Sequence, residues 1–322
     1  MSVLDLIGNT PLIPLHFRDE NKRILVKCEF LNPSGSIKDR LARHVITEAI
    51  ESGALTPGQT ILECSSGNTG IAMSMVGAAC GYPVTIVISE NASIERRKIM
   101  QAFGSRVITF SEEPGRIDYW KGVNITREMA AADPRYFLPR QFENPENIAD
   151  HEFGTGREIL AQVPVPIHAF VAGYGTGGTL MGIGRALRRA YPEVEIIAME
   201  PSEAAMLSGE MPCLHSIEGI ADGFIPPLMD LRCIDRTEKV SSEDALAMTQ
   251  RLMLEFGLPV GTSSGGNVVA ALRTLDRIGR DKVVVTVLCD RSERYFSTRL
   301  FGSRGEGSLS AAETARSGAA TG

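Results

Sequence analysis

Val84-Thr85-Ile86-Val87-Ile88 is a short β-branched and aliphatic run, and Arg106 to Phe110 is a second extended run. Between them Ile94 to Phe103 reads as a helix, which Gly104 stops. Strand, helix and strand in this order, with the first strand continuously apolar, is the unit of a parallel sheet flanked by helices.

The same unit repeats on both sides. Towards the N-terminus, Leu41, Ala42, Val45, Ile46, Ala49 and Ile50 recur at helical spacing and Gly53 closes the helix. A strand from Gln59 to Glu63 and a small-residue helix from Ile71 to Ala79 follow. Towards the C-terminus come a helix from Asp118 to Ala131 and an extended piece from Tyr136 to Leu138. Asn144-Pro145-Glu146-Asn147 breaks the pattern, and a block boundary is placed near residue 145. The second block reads helix Ala149 to Ala161, strand Ile167 to Ala172, helix Leu180 to Ala190 and strand Val194 to Met199. An irregular Pro- and Gly-rich stretch covers 201–240. Helices Ser242 to Phe256 and Gly266 to Ile278, strand Lys282 to Leu288 and a helix near Ser297 complete it. The expected fold is α/β, with mostly parallel sheets flanked by helices. Ser303 to Gly322 is Gly/Ser/Ala-rich and is expected to be disordered.

Composition fits. Of 322 residues, 43% are hydrophobic, enough for a sizeable core. The net charge of -6, with no basic block, argues against nucleic acid. No apolar run approaches about 18 residues, so no membrane span is expected. The six cysteines, at 28, 64, 80, 213, 233 and 289, form no C-x-x-C pair. They read as free thiols in a reducing cytoplasm. The five histidines show no ligand spacing, so no metal is expected.

Four small-residue loops carry the chemistry. In Asn32-Pro33-Ser34-Gly35-Ser36-Ile37-Lys38-Asp39-Arg40 a turn opens into a helix with Lys38 in its first turn. Helix N-termini disfavour cations, whereas a neutral amine there can act as nucleophile. Most first-turn lysines are surface charges, so the other loops must supply the case. Ser65-Ser66-Gly67-Asn68-Thr69-Gly70 offers hydroxyls, an amide and backbone N–H groups suited to a carboxylate or phosphate, or is a plain turn. Gly175-Thr176-Gly177-Gly178-Thr179 precedes a helix and can wrap a phosphate. Gly261-Thr262-Ser263-Ser264-Gly265-Gly266-Asn267 precedes another, where Ser263 either caps the helix or bonds a ring nitrogen. Gly173, Gly175 and Gly178 also match the G-x-G-x-x-G dinucleotide pattern, with Glu200 in the acidic position, so an NAD-dependent dehydrogenase is a rival.

Together these loops closely resemble the cysteine synthase and cystathionine β-synthase family, pyridoxal-phosphate enzymes of the tryptophan-synthase-β fold type. Ile7-Gly8-Asn9-Thr10-Pro11-Leu12, Gln141-Phe142-Glu143-Asn144-Pro145, Gly219-Ile220, Gly223-Phe224-Ile225-Pro226 and Glu293-Arg294-Tyr295-Phe296-Ser297-Thr298 extend the likeness over about residues 1–302, in the family's order. The resemblance implies two open twisted sheets with the cofactor, pyridoxal 5'-phosphate, in the cleft between domains. A smaller domain would span 35–145 and a larger one 1–34 plus 146–302. Lys38 would bind the cofactor as an imine and move protons. Asn68 would bond the ring hydroxyl oxygen, Gly175 to Thr179 the phosphate, and Ser263 the pyridine nitrogen. Ser65, Ser66, Gly67, Asn68, Thr69, Gln141, Gly219 and Asp222 would face the amino-acid substrate. The implied reaction is β-replacement on an activated L-serine through an aminoacrylate, with O-acetylserine and sulfide as the leading pair, giving cysteine. O-phosphoserine or serine as donor, and homocysteine, another thiol or an amine as nucleophile, stay open, as does a cofactor-binding protein without turnover. A cytoplasmic homodimer acting on small molecules is implied.

Three positions depart from the family. Cys64-Ser65 stands where Pro-Thr is usual, and Cys64 is expected to pack as a small apolar residue. Asp222 stands where plain cysteine synthases often have a small or apolar residue. If it faces the reacting carbon, it disfavours anionic sulfide and suits a neutral thiol or an amine. Cys289-Asp290-Arg291 replaces a Pro/Ser-rich segment in one wall of the expected pocket.

Overall fold

The computed structural model describes residues 2–112 and 118–302; the expected disordered tail, 303–322, lies outside them. Among the described residues the strands form two sheets. In chain order the elements that place the site are β1 Leu12–Phe17, β2 Lys22–Cys28, α1 Lys38–Glu51, β3 Thr60–Cys64, α2 Asn68–Cys80, β4 Val84–Ser89, α3 Ile94–Ala102, β5 Arg106–Phe110, α4 Tyr119–Ala132 and β6 Tyr136–Phe137. Next come α5 Glu146–Asp150, a π-helical turn His151–Thr155, α6 Gly156–Gln162, β7 Ala169–Gly173, α7 Gly178–Ala190 and β8 Glu195–Pro201. β9 Arg236–Val240, α8 Ser242–Phe256, α9 Thr262–Ile278 and β10 Val284–Leu288 complete the set.

The four-stranded sheet has the order β5-β4-β3-β6 and is parallel throughout. β4 is buried at every position, as its continuous apolar run requires. The six-stranded sheet has the order β1-β2-β10-β7-β8-β9 and is parallel except for the β1–β2 hairpin. Separate apolar cores form around each sheet: Val26, Val171 and Val268 belong to the larger, Ile46, Ile71 and Ile86 to the smaller. Among the described residues no helix is long and apolar enough to cross a membrane.

Several elements differ from the sequence reading. The β1–β2 hairpin has no tight Gly turn signal; its turn uses Asn21 at φ 50°. β9, inside the stretch read as irregular, is an edge strand whose exposed and half-buried Arg236, Glu238 and Lys239 break the apolar pattern. Three helices start earlier than expected. α2 begins at Asn68, α7 at Gly178 and α9 at Thr262, so their first turns are built from residues that read as loop. Gly265 and Gly266 are interior to α9 because of close packing. A Cβ at Gly265 would sit 2.2 Å from Thr249 Oγ1, and one at Gly266 would sit 2.8 Å from Met199 Cε. The expected helix from Ala149 to Ala161 runs as α5, the π turn and α6. Its axis passes so close to α7 that a Cβ on Gly182 would meet Ile148 O at 2.4 Å.

Two of the loops expected to carry chemistry follow the C-terminal ends of β3 and β7, where open α/β sheets place their ligand sites; the Ser263 loop lies between α8 and α9 and joins them through the segment after β10, Gly261 N donating to Asp290 O at 3.0 Å. Lys38 reaches the same place through a tie between the sheets: Ile37 N donates to Cys289 O at 2.9 Å, and Ser36 pairs with Asp290.

Candidate active site

One cavity between the sheets is lined by Lys38, Asn68, Gly175, Thr176, Gly177, Thr179, Ser263 and Cys289, among others. A smaller one adjoins it, lined by Ser66, Thr69, Gln141 and Asp222. Lys38, Asn68, Gly175, Thr176 and Gly219 line both, so they form the junction. Of the residues singled out in the sequence, Ser65, Gly67 and Gly178 line neither. Ser65 Oγ accepts from Gly67 N at 3.0 Å and Gly70 N at 2.8 Å, so its hydroxyl shapes the loop instead of facing the cavity. A larger groove, lined by Glu48, Arg127 and Arg140, lies elsewhere and holds none of the four loops.

Lys38 is the first residue of α1. Burial lowers its pKa, while the nearby Cys289, Asp222 and Asp290 pull the other way. Burial is thus a second reason for a neutral amine here, beside the helix end argued from sequence. Asp222 is 7% exposed, and burial pushes its carboxyl up to about 6, against the pull of Lys38. It faces the cavity, not solvent.

At the far end of the larger cavity, the first turn of α7 points its positive end inward. Gly175 must be glycine: a Cβ would sit 2.8 Å from Gly219 O. Gly177 takes φ 85° to turn the chain into the helix. Asn147 Nδ2 donates to Thr176 Oγ1 at 2.9 Å, and Thr179 Oγ1 lies 3.2 Å from His151 Nε2. Burial keeps the His151 ring well below its usual pKa, hence neutral. Ser263 sits in the first turn of α9, whose N-cap is Gly261, so the capping alternative is not realised and the side chain lines the cavity.

The Ser65–Gly70 loop is held from several sides. Thr69 Oγ1 donates to Gln141 Oε1 at 2.6 Å, and Gln141 Nε2 donates to Cys64 O at 2.5 Å. Arg96, 4% exposed, donates to Ser66 O at 2.7 Å and to Glu218 Oε2 at 2.8 Å, bridging this loop to the one before Gly219. Cys64 is fully buried beside Phe110 and Val123, and burial raises its thiol well above the ordinary value, as a packing residue requires. Asn147, His151 and Arg96 had no site role in the sequence reading, while Asp290 entered it only as part of a changed pocket wall and Arg294 only within a segment that carries the family likeness. All of them sit far along the chain from the loops they hold, so contiguous sequence does not show what they touch.

The dinucleotide alternative fails at Glu200. That carboxylate is fully buried and accepts from the Tyr174 hydroxyl at 3.1 Å, Leu207 N at 3.0 Å and Ser208 Oγ at 2.8 Å. It is committed to its own loop and offers nothing to a ribose.

Comparison with known proteins agrees with this geometry. A family model described as pyridoxal-phosphate dependent enzyme matches residues 3–290. The chain is 40% identical over 303 residues to a cysteine synthase of Staphylococcus aureus, covering 93% of this chain and 96% of that one. It is 41% identical over 309 residues to an O-ureido-L-serine synthase of Streptomyces lavendulae, covering 95% and 94%. The solved structure of an O-acetylserine dependent cystathionine beta-synthase from Helicobacter pylori superposes with a TM-score of 0.88 at 36% identity, covering 94% of this chain and 98% of that one. A buried amine, a glycine cradle on a helix end and a hydroxyl in one cavity are the donor set such a cofactor needs, and with a matching family model over most of its length the chain belongs to the pyridoxal-phosphate dependent enzymes, as a cysteine synthase-like member of fold type II.

Proposed function

We propose that this enzyme carries out β-replacement on an activated L-serine, O-acetyl-L-serine first among donors, and that its nucleophile is a neutral proton-bearing molecule. The observation that carries the second half is Asp222, buried and lining the substrate side of the cavity with Lys38. A carboxylate there repels anionic sulfide and can take a proton from a neutral thiol, amine or hydroxyl. The names of two relatives point the same way: O-ureido-L-serine and cystathionine are not sulfide products. The sulfide reading rests on the Staphylococcus aureus relative's name.

In this reading Lys38 holds the cofactor, the first turn of α7 with Thr176 and Thr179 holds its phosphate, and Ser263 meets the pyridine nitrogen. When bound, the cofactor supplies the electron sink that acidifies the substrate's α-hydrogen. The Ser66 hydroxyl, the Thr69 backbone N–H in the first turn of α2 and the second Nε2 hydrogen of Gln141 grip the substrate carboxylate, the Thr69 hydroxyl being engaged with Gln141. Lys38 takes the α-proton, the bond from the β-carbon to the ester oxygen breaks, and acetate leaves. The nucleophile then bonds to the β-carbon, Asp222 takes its proton, and Lys38 returns a proton to the α-carbon. A serine hydroxyl at the ring nitrogen cannot hold a full positive charge there, which favours prompt loss of the β-substituent.

The test separates the two halves. Acetate release from O-acetyl-L-serine is measured without a nucleophile, and capture is then timed with sulfide, a thiol, an amine and an N-hydroxy compound. Asp222→Asn should leave acetate release intact and slow capture of neutral nucleophiles by about 100-fold. Faster capture of sulfide than of every neutral nucleophile, unchanged in Asp222→Asn, would overturn the reading.

A further inference from the structure

Asn68 stands where the two cavities meet, and the segment after β10 holds it by both ends. Asn68 Nδ2 donates to Asp290 Oδ2 at 2.5 Å, and Arg294 Nη1 donates to Asn68 Oδ1. Asp290 is fully buried and Arg294 is 3% exposed. The Tyr295 hydroxyl donates to the same Asp290 oxygen, and Arg294 Nη2 donates to Ser34 O at 2.8 Å.

The oxygen and nitrogen of an amide are told apart by their partners. A guanidinium only donates. A carboxylate that receives two donors on one oxygen beside a buried guanidinium only accepts. The Asn68 carboxamide therefore has one orientation. Its nitrogen borders Gly219, where a Cβ would sit 3.8 Å from Nδ2, and Gly219 lines both cavities. One hydrogen of that nitrogen is used on Asp290, which leaves the other for the cavity.

We propose that Asp290 and Arg294 are positioning residues that lock the Asn68 carboxamide with its nitrogen towards the cavity, so that the cofactor's ring oxygen meets a hydrogen-bond donor. The inference rests on the pyridoxal-phosphate assignment and on Asn68 facing that oxygen. A donor favours the oxygen as an anion, with the proton on the lysine-bound nitrogen. That form absorbs near about 410 nm; the form with a protonated ring oxygen absorbs near about 330 nm.

Arg294→Met frees the amide oxygen. Asp290→Asn replaces a pure acceptor with a group that both donates and accepts, at the same volume. In either holoenzyme the ratio of the long- to the short-wavelength band should fall at least about threefold, and Asn68→Ala should move it the same way. Arg294→Lys should restore most of the ratio. Cofactor affinity, from fluorescence titration of the cofactor-free protein, should weaken severalfold in the same variants. Circular dichroism and thermal unfolding identify any variant that fails to fold, and the near-isosteric Asp290→Asn keeps the question answerable if Arg294→Met does. A folded Asp290→Asn with wild-type band ratio and cofactor affinity would overturn the proposal. A wild-type protein with no band near about 410 nm would instead overturn the cofactor assignment.

Discussion

Burial pushes the Asp222 carboxyl up to about 6, and the Lys38 charge opposes the rise. If Asp222 accepts the nucleophile's proton, its ionised form is the working one. Capture of a neutral nucleophile should therefore rise about tenfold per pH unit below about 6 and level off above it. Asp222→Asn should flatten that limb, and stopped-flow capture rates across pH 5 to 8 check both. Lys38 was readable from sequence because its loop and helix are contiguous. The direction of Asp222 was not. It depends on a loop with Gly219 at φ 84°, Ala221 at φ 52° and Gly223 at φ 91°, and residue identity does not specify such a succession of left-handed positions.

At the scale of elements, the substrate loop and α3 share one packing constraint. Gly67 has φ 151°, and a Cβ there would sit 2.1 Å from Arg96 Cδ. Gly67→Ala should cost about 1–3 kcal/mol in backbone strain alone and displace the arginine that bridges Ser66 to Glu218. If the loop grips the substrate before the chemistry, as proposed, the KM for the donor should rise about tenfold or more, while kcat falls less. Steady-state kinetics on the folded variant test this; an unchanged KM would dissociate the loop from donor binding. The same scale shows what pattern reading reaches. Buried strands such as β4 announce themselves, since every position is apolar or small. The edge strand β9 does not, because charges protect an edge and erase its alternation. First turns made of Ser, Thr, Asn and Gly read as loops because these residues favour caps and turns, yet in α2, α7 and α9 they are helical and line the cavity.

Across the whole molecule, the two sheets meet over a buried ion network two residues beyond Lys38. Arg40, 1% exposed, donates from Nε and Nη2 to Glu29 at 2.6 and 2.8 Å, and from Nη1 and Nη2 to Glu158 at 2.8 and 2.7 Å. Lys27 Nζ, fully buried, lies 2.7 Å from Glu158. Glu29 ends the hairpin arm of the larger sheet, whereas α1 packs its Ala42, Ile46 and Ala49 into the core of the smaller one. Burial alone would raise Glu29, but the Arg40 charge and its hydrogen bonds outweigh it and hold the carboxyl below its ordinary value. In the native protein this contribution to stability is therefore present above the unfolded pKa and fades as pH falls through the folded one. Arg40→Met removes the partner and leaves Glu29 charged and unpaired in the interior, which should cost about 3–5 kcal/mol at neutral pH. In that variant burial acts unopposed by Arg40, the folded pKa rises, and protonation relieves the penalty as pH falls. The stability gap between Arg40→Met and the parent should thus narrow from pH 7 to pH 5. Urea unfolding at the two values measures it; a gap that stays constant would mean that Arg40 contributes packing and not charge. Because Lys38 precedes Arg40 by half a helical turn, the same variant should also weaken cofactor binding, whereas Lys22→Met, which breaks an ion pair with Asp276 on the rim, should not.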